Sequence, residues 1–172
     1  RTLYVNPRPN LESFTNYYTN STSSKYWATT FYKTTADARR EKLWKPKARL
    51  IQKAVHRFAT DAEIIDIGGG YGIFAEEMKA LTGNAVTVIE PSPYLANICR
   101  DRGVDVIEKF LEDLEESELP LGRRAFVSFE LFEHLHEPKL FLKQLLGLMH
   151  SGDLFIFTTL SGLGIDIQGL WG

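Results

Sequence analysis

Residues 64–72 restrict the fold more than any other stretch, because Ile64-Ile65-Asp66-Ile67 breaks directly into Gly68-Gly69-Gly70-Tyr71-Gly72. An apolar run of strand length gives way to glycines and then to Ile73-Phe74-Ala75-Glu76-Glu77-Met78, whose apolar residues recur at helical spacing. Strand, glycine loop and helix in that order form a unit whose loop brings backbone close to a ligand and whose helix N–H groups point at it. The rhythm continues downstream. With 63–67 as the first strand, further strands are expected at 85–90, 104–107, 125–130 and 153–159, and helices at 71–81, 93–102 and 139–149, with a short turn at 111–116. Strands alternating with helices predict an α/β domain: a doubly wound parallel sheet with right-handed crossovers and helices on both faces.

Before residue 61 the pattern differs. Ten of the 21 aromatic residues lie there, among Asn, Ser and Thr. Leu11, Phe14 and Tyr18 share a helical face after Pro9 and Asn10, and Trp27 and Phe31 repeat that spacing after Ser23-Ser24. A longer helix is expected over 36–58, with Leu43, Leu50, Ile51, Ala54, Val55 and Phe58 inward and a break or kink at Pro46. Residues 1–60 thus read as a helical, aromatic-rich cap and 61–172 as the core domain. The aromatics fit either a plain core or a lid over a small-molecule pocket, where Tyr and Trp combine an apolar body with a polar tip.

Charge is segregated along the chain. Residues 33–57 carry nine Lys or Arg against Asp37 and Glu41, a local +7, whereas residues 58–172 carry −11 within a total of −2. Bases spread around a helix beside an acidic remainder read as a solvated face rather than a nucleic-acid surface. No run approaches the ~18 apolar residues of a membrane helix, so no membrane partner is expected. Cys99, as the lone cysteine, excludes an intrachain disulfide and a cysteine zinc site, which fits a reducing, cytoplasmic setting with no metal. The chain opens on Arg1, so the first residues of its gene are expected to lie upstream.

Eighteen residues after Gly72 the second strand ends at Glu90, where a carboxylate suits both hydroxyls of a ribose. Two cofactor classes use this layout. A nicotinamide enzyme needs G-x-G-x-x-G/A; the register from Gly68 fails at Ile73, while Gly70, Gly72 and Ala75 satisfy it, so spacing leaves both classes open. Asp66 separates them better, because a carboxylate two places before the first glycine suits a cationic ligand group and repels a pyrophosphate.

Residues 66–72, Glu90 and the stretch Phe129-Glu130-Leu131-Phe132-Glu133-His134-Leu135-His136-Glu137-Pro138 resemble three ordered motifs of class I S-adenosylmethionine-dependent methyltransferases. The last is similar to the branch that includes the ubiquinone-biosynthesis O-methyltransferases, as is Ser151-Gly152-Asp153-Leu154-Phe155-Ile156 after the helix at 140–149. The leader Tyr4-Val5-Asn6-Pro7-Arg8-Pro9, with Tyr26-Trp27 and Arg39-Arg40, resembles a bacterial branch linked to surface-polysaccharide genes and often preceded by a cysteine-rich zinc module. The resemblance implies a Rossmann-like fold with five of the family's seven strands and a C-terminally incomplete core. It implies methyl transfer from S-adenosylmethionine to a small-molecule acceptor, such as a sugar or a quinone-like metabolite. It also implies roles: Gly68, Gly70 and Gly72 along the methionine part, Asp66 near its ammonium and Glu90 on the ribose. Leu111 and Glu112, with Asp113, would frame the adenine where Phe110 stands in place of the family's Asp, and Phe129 and Glu130 would border the methyl group. The rivals are an NAD-dependent dehydrogenase and a catalytically inactive binding module of the same fold.

For a hydroxyl acceptor His134 is the candidate base, since imidazole titrates near neutral pH; it also reads as a structural residue tying its loop to the backbone. His136 is expected on a surface loop, His56 and His150 on helices, and Cys99 as a buried apolar filler. Without the last two strands the fifth is expected to present an open edge, covered by a second chain or by residues 161–171 folding back, and full turnover is expected to be lacking.

Overall fold

In a computed structural model that describes residues 7–160, five strands form one sheet: β1 (Glu63–Ile67), β2 (Val86–Ile89), β3 (Asp105–Ile107), β4 (Arg124–Phe129) and β5 (Leu154–Thr158). Their spatial order is β3-β2-β1-β4-β5 and every neighbouring pair is parallel, with Ile64 beside both Val86 and Ala125, and Phe126 beside Phe155. Seven helices accompany them: α1 (Leu11–Asn20), α2 (Thr22–Tyr26), α3 (Tyr32–Arg39), α4 (Lys45–Phe58), α5 (Ile73–Thr82), α6 (Pro93–Asp101) and α7 (Pro138–Leu148). This is the doubly wound, Rossmann-like α/β fold that the alternation of strand and helix predicts.

The period of two along each strand sorts the core into two layers. Ile64, Val86, Val88, Ala125, Val127 and Phe129 face Ala48, Ile51 and Val55 of α4, Phe74 and Met78 of α5, and Cys99 of α6. Ile65, Ile67, Ile89 and Phe126 face Phe141, Leu145 and Leu148 of α7 with Leu111 and Leu114. Each large aliphatic side chain buried in this way contributes about 1.5–3 kcal/mol, which lets strands as short as three residues hold their register.

The leader departs from expectation. The backbone is continuously helical from Thr22 to Phe58, because the junction residues Tyr26, Phe31, Arg39, Arg40 and Trp44 all keep right-handed helical dihedrals. Two wider π-type turns, Trp27–Phe31 and Arg40–Trp44, interrupt the α register. Pro46 explains the second: its missing N–H and its ring clash with the carbonyl one turn back, and an i→i+5 turn relieves this without ending the helix. α4 is itself a regular helix and buries Ala48, Ile51 and Val55; Leu50, one position off that stripe, and Phe58, its last residue, both expected inward, are exposed.

Two other details differ. His150 lies in the turn between α7 and β5, where Nδ1 sits 2.9 Å from Arg124 Nη2 and Nε2 sits 2.7 Å from Glu116. β5 is a sheet edge among the described residues, with Phe157 exposed. The segment 161–171, expected either to cover that edge or to leave it to a second chain, lies outside the described residues, as do the leader residues Tyr4 to Asn6. Among the described residues no helix is long and apolar enough to cross a membrane.

Candidate functional site

The strand order reverses between β1 and β4, and a crevice opens at the C-terminal ends of these strands, the usual ligand position in such a sheet. The loop after β1 takes left-handed backbone at every second residue: Gly68, Gly70 and Gly72 have φ of +71°, +57° and +72°. The Gly68 N–H donates to the Ile89 carbonyl at 2.8 Å, and Gly72 opens α5. Gly69 is needed for another reason, since a Cβ there would stand 2.7 Å from Val88 Cγ1. On Gly72 a Cβ would lie 2.8 Å from Cys99 Sγ, so the loop rests on α6; on Gly70 it would meet only the Gly68 carbonyl oxygen at 3.9 Å and otherwise face open space.

Two buried carboxylates flank this loop. Glu90 accepts the Gly70 N–H and the Ser92 N–H, each at 2.9 Å, one on each oxygen. The expected ribose contacts therefore fall to the remaining lone pairs of those oxygens. Asp66 is equally buried, and its Oδ2 has no hydrogen-bond partner among the described residues. Burial pushes Asp66 up to about 7, helped by the charge of Glu90 and opposed by Lys47; burial also pushes Glu90 up to about 7 against the pull of its two N–H donors. This end of the crevice is short of positive charge, and a cationic ligand group would supply it.

Two cavities adjoin at Gly68 and His134. The first is an apolar slot between Ile67, Ile89, Phe110 and Leu111, with Glu112 at its rim and Phe14 and Tyr18 of α1 across its mouth. Glu112 is half-buried, which raises its pKa, whereas Asp113 lines neither cavity. The second runs from the glycine loop past Phe129, Glu130 and Glu133 to Tyr32, Arg39 and Trp44 of the leader. Gly68, Gly70, Gly72, Leu111, Glu112, Phe129, Glu130 and His134 thus line the two adjoining cavities, Asp66 and Glu90 are buried beside the glycine loop, and Asp113 stands apart.

Several contacts were not legible beforehand. The cap is latched to the loop after β4: Arg8 donates to the Leu135 carbonyl at 3.0 Å, His136 Nε2 sits 3.0 Å from the Pro9 carbonyl, and the His136 ring lies 5.4 Å from that of Phe14. The tie to backbone considered for His134 is thus made by His136, and the His134 ring has no hydrogen bond among the described residues. Lys47 points inward from α4, its Nζ 4.8 Å from the Trp44 ring centroid, 4.6 Å from that of Phe129 and 3.6 Å from Glu130. Burial lowers its pKa, with Glu130 opposing. Its position one turn before Ile51 and two before Val55 on the inward face is the signal that could have found it. Glu130 itself is the only described non-glycine residue with a positive φ, +55°, a strained backbone at the lip of the crevice.

In sequence the chain is similar to the mitochondrial ubiquinone biosynthesis O-methyltransferase of Schizosaccharomyces pombe, 30% identical over 105 residues that make up 58% of this chain and 38% of that protein. In structure it is similar to the plantazolicin methyltransferase BpumL in complex with a monoazolic analog and SAH, at a TM-score of 0.66 and 15% identity over 92% of this chain and 63% of BpumL. It is also similar to DesVI of Streptomyces venezuelae (TM-score 0.58, 18% identity, 70% of this chain and 52% of that one). The magnesium protoporphyrin IX methyltransferase ChlM of Synechocystis PCC 6803 gives a TM-score of 0.57 at 13% identity, over 84% and 74% of the two chains. At such identities these structures speak for the fold. The chain spans well under half the length of the Schizosaccharomyces protein and less than two thirds of BpumL. A family model of the methyltransferase domain matches residues 37–171, which take in α4 and the whole sheet, and this chain belongs to that family.

Proposed function

We propose that this chain is the cofactor-binding and catalytic part of a cytoplasmic S-adenosylmethionine-dependent methyltransferase acting on a small-molecule acceptor, with residues 1–60 as its cap and 61–172 as its core. The observation that carries this reading is Asp66 Oδ2, buried without a partner beside a glycine loop that Gly70 leaves open. The residues present fit the cofactor. Asp66 would hold its ammonium, Glu90 its ribose, and the slot of Ile67, Ile89, Phe110 and Leu111 its adenine, with Glu112 as an acceptor for the amino group. A pyrophosphate fits poorly against two carboxylates.

When bound, S-adenosylmethionine supplies an electrophilic methyl group on a sulfonium, so the protein has mainly to align and to exclude water. Gly68, Gly70 and Gly72 fix one side of the crevice, Phe129 closes its floor against Phe74 and Trp44, and Glu130 stands at the lip, held by Lys47. His134 lines both cavities with its ring unbonded, a position from which a ring nitrogen can take the proton of an acceptor hydroxyl. The Schizosaccharomyces relative, named an O-methyltransferase, supports an oxygen acceptor; sugars and quinone-like metabolites both offer one.

Isothermal titration with S-adenosylhomocysteine and, separately, with NADH tests the reading. Binding of the first alone is expected. Binding of NADH alone would mean a dehydrogenase, and binding of neither a module of this fold without catalytic function. Glu90→Ala should then weaken S-adenosylhomocysteine by about 1.5–3 kcal/mol, roughly ten- to a hundredfold, because the ribose and two buried N–H groups lose a charged acceptor. An affinity within about twofold of wild type, with the circular dichroism spectrum intact, would remove Glu90 from the site.

A further inference from the structure

On the methyltransferase reading above, we propose that the acceptor carries an anionic group, a carboxylate or a phosphate, that seats against the Arg39 guanidinium. Arg39 lines the wider cavity together with the glycine loop and Phe129. Its guanidinium carbon lies 5.6 Å from the ring centroids of both Tyr32 and Trp44, and its Nε is buried with no hydrogen-bond partner. Among the described residues no carboxylate lies within ion-pair distance of it, although three other bases of the same run are paired. Arg40 meets Glu76 and Glu77, Lys45 meets Glu41, and Lys47 meets Glu130.

The anions of the same cavity are engaged elsewhere. Glu130 is taken by Lys47, and Glu133 accepts the Thr159 hydroxyl at 3.0 Å. Two aromatic rings hold the guanidinium without satisfying its hydrogen-bond donors, which favours a planar, two-oxygen partner brought in from outside. The acceptor is the better source of that partner than the cofactor. Arg39 is held by Tyr32 and Trp44 of the leader, whereas Asp66, where the cofactor's ammonium would lie, is buried near the end of β1. Arg39 therefore serves the part of the cavity under Tyr32 and Trp44.

Phenyl phosphate and benzoate, with benzyl alcohol as the neutral control, test this by titration into the protein saturated with S-adenosylhomocysteine in phosphate-free buffer. Saturable binding of at least one anion and none of the alcohol is expected, and the stronger of the two anions identifies phosphate or carboxylate as the natural group. Arg39→Gln should weaken that anion at least about tenfold, Arg39→Lys less so, and Arg39→Gln should leave S-adenosylhomocysteine within about twofold of wild type. Failure of both anions to bind, or equal binding by wild type and Arg39→Gln, would overturn the proposal. So would a tenfold loss of S-adenosylhomocysteine in Arg39→Gln, which would make the cofactor's carboxylate the partner. If wild type takes the anion through Arg39 but never binds S-adenosylhomocysteine, the methyltransferase reading fails while the anion site stands.

Discussion

Gly70→Val should abolish S-adenosylhomocysteine binding, lowering affinity by more than about a hundredfold, while far-ultraviolet circular dichroism still reports the sheet and helices. Gly70 sits at φ +57°, a region where a β-branched residue is a true outlier and pays about 1–2 kcal/mol. Its Cβ would point into open space, meeting only the Gly68 carbonyl oxygen at 3.9 Å, so the substitution breaks no core contact. The methyl groups would instead fill the surface along which a ligand must lie, and they would disturb the N–H that Gly70 gives to Glu90. Gly72→Val makes a contrast, because its Cβ would stand 2.8 Å from Cys99 Sγ and must displace α6. That variant should lose thermal stability first. Unchanged binding in a folded Gly70→Val protein would move the cofactor away from this loop altogether.

The sheet and the glycine loop were legible because local signals carry them. Each strand is a short apolar run bounded by Gly, Pro or charged residues, and the order of strand and helix fixes parallel pairing. Asp66, Glu90, Phe129 and Glu130 fall at or near strand ends, so placing the strands also placed the candidate site. The leader was harder to read for a definite reason. Periodicity counted at 3.6 residues per turn loses phase across the π-type turns Trp27–Phe31 and Arg40–Trp44, and apolar character alone does not reveal that Leu50, one position off the stripe of Ala48, Ile51 and Val55, and Phe58, the last residue of α4, are exposed. The basic run at 33–57 hid a second distinction. Net charge gives no sign of which bases turn inward: Arg40 and Lys47 pair with Glu76, Glu77 and Glu130 of the core, and Arg39 lines the wider cavity, while others of the run are solvated. The latch of Arg8 and Pro9 onto Leu135 and His136 joins positions 127 residues apart, and no local pattern announces such a contact.

Affinity for S-adenosylhomocysteine should fall about tenfold for each pH unit below 7 and level off above it. Asp66 and Glu90 lie side by side in the crevice, and burial raises both to about 7, with the charge of Glu90 adding to the rise at Asp66. Glu90 keeps two N–H donors that favour its ionised form, whereas Asp66 Oδ2 has none, so a proton is held more readily at Asp66. A ligand ammonium binds the ionised carboxylate, and below pH 7 it must first displace that proton. For the unliganded chain the sign is reversed. Folded-state values above the ordinary 3.8 and 4.5 mean that the folded form binds the extra protons, so stability present at the acid end is lost as pH rises through about 7. Without ligand the melting temperature should be lower at pH 8 than at pH 6, and S-adenosylhomocysteine should narrow that gap by placing a cation at Asp66. Asp66→Asn should bind more weakly at pH 8 and show a shallower profile, while His134→Gln should keep the wild-type slope. A slope preserved in Asp66→Asn but lost in His134→Gln would assign the titration to the histidine and withdraw Asp66 from the ammonium.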